Sequence, residues 1–126
     1  MSYSDYTENA VQDHIHGGTA FTQPAAQYLA LFSIAPTDAG GGTELTGSGY
    51  ARQSITFSAS SGGIAANTNT VTFTASGGDW SAAVHGAVFD ALTAGNMLEH
   101  NAVTSVTVLD GSDLVYAAGT ITSALD

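Results

Sequence analysis

The chain has no cysteine and a single residue of the Lys and Arg type, Arg52, against eleven Asp and Glu, for a formal net charge of −10. The first absence excludes disulfides and thiolate chemistry, so folding is independent of the redox state of the compartment. The second removes the basic patch that a phosphate backbone or an anionic lipid surface requires, which argues against direct nucleic-acid binding and membrane attachment. It also leaves nearly every acid without an intramolecular cation, so apolar burial and sheet hydrogen bonding must carry stability. Charged residues make up only 10% of the chain, against a usual share of about 25%. No run approaches the roughly 18 consecutive apolar residues of a membrane-spanning helix. Met1 to Ala10 carries acids and no basic stretch ahead of an apolar run, unlike a secretory leader. If the protein works outside a cell, the expectation is that it leaves by lysis or as part of a particle.

What is present reads as one domain, since 126 residues suffice for one core and not for two. Ser4 is placed to cap a helix over Asp5 to Ile15, with Asp5 and Glu8 near its positive end and Gly17-Gly18 as its stop. Tyr6, Ala10 and His14 then share one side, with Tyr3 and Val11 flanking it. The remainder alternates apolar and polar residues in short runs: 26–33, 50–58, 69–75, 82–90, 97–100, 103–109, 114–116 and 120–125. Gly, Ser, Thr and Asn turns separate the runs, and the stretch from Pro36 to Gly49 reads as a surface loop. Asp110-Gly111 reads as the turn of a hairpin between 103–109 and 114–116. The fold expected is mainly β, a two-sheet antiparallel sandwich of jelly-roll-like type, with a short N-terminal helix or arm over residues 1–18 and a β-domain over 19–126.

Little in this pattern suggests catalysis. His14-Ile15-His16 diverge at a helix end, and joining them to Asp13, His85 or His100 needs a fold that gathers them. Asp90 and Glu99 read as solvated flanks of a hairpin, and no Gly-x-Ser-x-Gly elbow or phosphate loop is present. Asp110-Gly111-Ser112-Asp113 offers oxygen donors in a turn but lacks the terminal Glu spacing of an EF-hand. No metal, cofactor or catalytic residue is therefore expected. Arg52 carries more information: a lone guanidinium near Asp38 and Glu44 is suited to pin the 36–49 loop through bidentate bonds to either acid or to loop carbonyls. Trp80 reads as a core plug, with exposure as a partner anchor or sugar platform as the alternative. Tyr3, Tyr6, Val11 and Tyr50 are further candidates for partner contacts, because tyrosine buries a large ring while keeping a hydrogen bond.

Three segments carry a family resemblance. Tyr28, Leu29, Ala30, Leu31, Phe32, Pro36 and Asp38 fit Y-L-A-L-F/H-x-x-x-P-x-D. Gly42, Thr43, Glu44, Leu45 and Gly47, followed by Tyr50, Ala51, Arg52 and Gln53, fit G-T-E-[LV]-x-G-x-x-Y-A-R-Q. Val71, Thr72 and Phe73, then Gly86 with Phe89 and Asp90, complete the set. Over about residues 10 to 126 the chain resembles a family of small bacteriophage virion proteins described as tail-fibre or minor structural proteins, with members similar to capsid cement or decoration proteins. It departs from the common G-I/V-F-D form by having Gly86-Ala87-Val88-Phe89-Asp90. The resemblance implies a structural role in the virion without catalysis, and assembly with itself, three copies about an axis being a common geometry. Its partners would be a major capsid protein or tail components. The short chain without fibrous repeats favours a capsid cement or decoration role, with a tail-fibre or host-surface glycan-binding component as the alternative.

Overall fold

The computed structural model describes residues 1–124 as a mainly β protein with one helix. In chain order the elements are β1 (Ser2–Tyr3), α1 (Asp5–His16), β2 (Gln27–Ile34), β3 (Thr43–Glu44), β4 (Gln53–Ile55), β5 (Ile64–Ala66), β6 (Val71–Thr74), β7 (Ala83–Phe89), β8 (Met97–Val106), β9 (Asp113–Tyr116) and β10 (Thr122–Ala124). The main sheet runs β1-β8-β7-β2-β3, with β4 also paired to β2, and two ribbons, β5 with β10 and β6 with β9, complete the described strands. Every pairing is antiparallel.

β2 lies at the centre of this arrangement. Leu29 and Leu31 point into the larger core with Ile55, Val71, Phe73, Trp80, Val88 and Leu98. The alternate residues Ala30 and Phe32 point into a smaller cluster with Ala87 and Met97, against which Phe89 packs. Both faces of β2 are thus covered, which explains its nearly unbroken apolar run. β6 shows the simpler one-sided pattern, Val71 and Phe73 buried and Thr72 and Thr74 exposed.

The helix forms where its caps predict. The Ser4 hydroxyl accepts from Thr7 N at 3.3 Å, and Gly17 closes the C-terminus in the left-handed region with its N–H on the Asp13 carbonyl. The residue α1 buries is Thr7, whereas Tyr6 stays 43% exposed and Val11 is half-buried. The N-terminus is also stitched to the sheet: Ser2 and Tyr3 pair with His100 and Glu99, and Ser4 N donates to Leu98 O at 3.0 Å. An arm hinged at Gly17-Gly18 would have to release its own first strand.

Several expectations need correction. The runs at 97–100 and 103–109 merge into one ten-residue strand, β8. β9 does not form a hairpin with it but pairs with β6, forty residues upstream, through Phe73 opposite Leu114. β5 and the short β1 and β3 fall where no strand was expected. Of the expected closing strand, β10 covers Thr122–Ala124, and Leu125 lies outside the described residues. The 36–49 segment is not a featureless loop. It contributes β3, and a Cβ at Gly42, whose φ is +76°, would lie 2.6 Å from the Ile34 carbonyl oxygen and 2.7 Å from Pro36 N, so only glycine fits.

Candidate functional site

The densest polar network surrounds Arg52. Its Nε and Nη2 donate to the two carboxylate oxygens of Glu44 at 2.9 and 2.8 Å, and Nη1 donates to the carbonyls of Ala91 at 2.9 Å and Ala94 at 2.8 Å. The guanidinium carbon lies 3.7 Å from the centre of the Phe89 ring, which stacks on Phe32 with centroids 6.3 Å apart. The carbonyls therefore come from the 91–94 turn and not from the 36–49 loop, and Asp38 is no partner of Arg52. The turn itself is closed by Asp90, whose carboxylate accepts from Asn96 N at 2.7 Å and Asn96 Nδ2 at 2.9 Å.

Tyr50 extends the network into the core. Its hydroxyl donates to Glu44 Oε1 and accepts from Leu31 N, both at 2.9 Å. β4 pairs with β2 up to Leu29 and β3 begins opposite Phe32, so Leu31 lies at the junction where neither strand supplies an acceptor for its N–H. The phenol fills that gap. Burial pushes the Tyr50 hydroxyl pKa up, an effect the Glu44 charge reinforces. Its ring is 6.2 Å from Phe73 and edge-on to Trp80 at 5.4 Å.

Trp80 is 5% exposed, and its indole N–H donates to Ser48 O at 2.9 Å. The reading of Trp80 as an exposed anchor or sugar platform is thereby overturned, because both the ring and its one donor are occupied within the domain. The residues of the family resemblance, Glu44, Tyr50, Arg52, Phe89 and Asp90, converge on this one region. Their co-occurrence in sequence was the signal for it, and the 91–94 carbonyls were what sequence reasoning missed.

A second chain of polar groups lies on the main sheet. Asp38 Oδ1 is 2.8 Å from His100 Nε2, and His100 Nδ1 is 2.9 Å from His85 Nε2. Both bonds are satisfied when His100 holds its proton toward Asp38 and His85 donates to His100. Asp38 also accepts from the Ser2 hydroxyl at 3.1 Å, and its backbone carbonyl accepts from Asp5 N at 2.9 Å. Asp38 thus fastens the start of the N-terminal segment to the sheet, while His14 and His16 sit far from it on the exposed end of α1. Among the described residues, no three His, Cys, Asp or Glu side chains gather in a metal-binding arrangement. The acids of the 110–113 turn are engaged with the chain itself, Asp110 accepting from Gly77 N and Asp113 from the Thr74 hydroxyl.

The His100 bond lowers the Asp38 pKa, and burial, aided by the His100 charge, lowers that of His85. Both groups act in the same direction. The stability from His85 is complete above the ordinary histidine value of 6.5 and is lost as pH falls through its lower folded value. The stability from Asp38 is present above 3.8 and is lost as pH falls through its own lowered value. Thermal stability should therefore fall in two steps on acidification. His85→Gln, which retains a donor for His100 but does not titrate, should remove the step that begins near pH 6.5; an unchanged slope would contradict this reading.

Glu99 is the other residue whose placement differs from expectation. Instead of a solvated flank it is 4% exposed, and it accepts from the Ser123 hydroxyl, which also contacts Tyr3 OH at 3.2 Å. The reason is that α1 and β1 cover the start of β8, leaving Met97, Leu98 and Glu99 all buried. Burial raises its pKa. The contribution of this acid to stability is then complete below the ordinary value of 4.5 and is lost as pH rises through the folded value. Glu99→Gln should raise Tm at pH 7 and lose that advantage near pH 4, measured by thermal melts at both pH values.

The fold and these networks define a mainly β structural domain, held by a few polar clusters that tie its own segments together. Among curated proteins no relative matches. A protein-family profile described as "Podophage GP4 fiber I protein gp80" matches residues 2–124, and the chain belongs to this family. It is a bacteriophage virion structural protein of the fibre and tail kind, located in the virion, where it interacts with other components of the particle.

Proposed function

We propose that the protein is a non-catalytic component of a phage tail fibre, assembled by protein–protein contacts in several copies, with three about a local axis as the favoured geometry. The observation that carries this reading is the family match over residues 2–124 to a fibre protein. It supports the tail-fibre alternative over the capsid cement or decoration role that the short, repeat-free chain favoured. The polar networks agree with a structural role, since the fork of Arg52 and both Glu44 oxygens are spent on internal bonds. Tyr6, Ile15, Ile34 and Leu92 are large and exposed, and repeated contacts through such residues gain strength from symmetry. Host-surface glycan binding keeps no support from Trp80. The test is a reconstruction of the intact particle with the chain located in density. Density in the tail, in several copies, is the expected result; density on the capsid lattice would restore the decoration role.

A further inference from the structure

Between α1, the segment that follows it and the β5–β10 ribbon lies a cavity of ≈ 270 Å³, lined by apolar groups that include Tyr3, Val11, Phe21, Phe57 and Leu98, with Glu99 in its wall. It is smaller than the roughly 300–1,000 Å³ typical of sites for drug-sized ligands. One Glu99 oxygen, Oε2, takes the Ser123 hydroxyl; the other, Oε1, accepts no bond among the described residues. No fully enclosed side-chain polar atom among those residues lacks a partner, so Oε1 retains solvent access, and the cavity is the opening that Glu99 lines. The Met1 ammonium acts on Glu99 through space, but among the described residues it forms no ion pair with it.

An apolar cavity with a buried carboxyl group in its wall fits one side-chain chemistry well. An aliphatic stem fills the apolar walls, and a terminal ammonium meets the oxygen. We propose that this cavity is the receptor for a lysine side chain of a different protein of the particle. A second copy of this chain cannot be the donor, because the sequence holds one Lys or Arg in total, and that residue, Arg52, is committed to Glu44. The raised pKa of Glu99 accords with an acid that lacks its counter-charge until the partner arrives. A carboxyl group kept buried at a cost to the isolated domain is what a docking site of this kind requires. That the donor belongs to the virion rests on the proposed function; the chemistry of the cavity does not.

The experiment is an NMR titration of the full chain with lysine capped at both ends, run beside capped norleucine and putrescine. Capped lysine should shift the signals of Glu99, Val11 and Ser123, and capped norleucine should bind at least about tenfold more weakly, the loss of one charge-assisted hydrogen bond. Glu99→Gln should weaken capped lysine by a similar factor. Val11→Trp, which narrows the cavity without touching the acid, should abolish binding. Equal binding of lysine and norleucine, or no binding of either, would overturn the proposal. Putrescine binding tighter than capped lysine by about tenfold or more would replace the protein side chain with a free diamine. All of these outcomes are independent of where the chain lies in the particle.

Discussion

Replacing Arg52 with Ala should lower stability by about 2–4 kcal/mol, a fall in Tm on the order of 10 °C. The usual cost of breaking a buried ion pair is roughly 3–5 kcal/mol, and the lower figure here allows for Glu44, whose side chain is 25% exposed while that of Arg52 is 7% exposed. The loss has three parts. Glu44 is left with only the Tyr50 hydroxyl, the Ala91 and Ala94 carbonyls lose their donor, and Phe89 loses the cation over its ring. Arg52→Lys should recover little, because an ammonium cannot span both carboxylate oxygens and two carbonyls from one plane. Urea unfolding of both variants is the measurement, and a midpoint unchanged in Arg52→Ala would show that the network does not support the fold.

Trp80→Ala should be at least as damaging, costing about 3–5 kcal/mol. The indole packs edge-on against the stacked pair of Tyr50 and Phe73, with ring centroids at 5.4 and 6.4 Å. Its removal leaves a cavity in the larger core and takes one of two donors from the Ser48 carbonyl, which keeps its bond from Ser76 N. Trp80→Phe, which keeps much of the volume and loses the N–H, should cost about 1–2 kcal/mol. Circular dichroism melts of the two variants separate packing from hydrogen bonding. Wild-type stability in Trp80→Ala would mean that the ring is not a core residue.

The parts of this fold that were legible in the sequence are those set by local chemistry. Ser4 and Gly17 mark the helix ends because capping depends on neighbouring residues alone. β2, β6 and β7 were visible because their apolar periods survive with few interruptions. The pairing of Arg52 with Glu44 was accessible because eight residues and one unusual charge narrow the choice. What escaped depends on register and on distant segments. His85 and His100 meet because Ala87 pairs with His100, placing His85 diagonally across on the same face. Asp38 reaches them from a loop sixty-two residues away. Glu99 looked solvated because a charged residue after Met97 and Leu98 normally ends a buried run, and only the covering N-terminal segment makes its position interior. The mainly β, antiparallel character was legible from strand count, but the division into a main sheet and two ribbons was not, for the same reason: alternation reports which residues are buried, not which strands pair.

The pairings of the outer strands bear on how the chain is made. β1 binds β8 nearly a hundred residues later, β6 waits for β9, and β5 waits for β10 at the very end of the described chain. Of the described strand pairs that build the main sheet, only β7 with β8 and β2 with β3 join strands adjacent in sequence. Loop closure of this length slows folding relative to a hairpin-built sheet. A ribosome therefore releases β2, with its apolar run, well before the β7 strand that will flank it has been synthesised. Until translation ends, the nascent chain carries open strand edges, a state prone to edge-to-edge association that its one-signed negative charge opposes. Yield of soluble protein should consequently depend more on synthesis rate and temperature during expression than the stability of the finished domain would suggest.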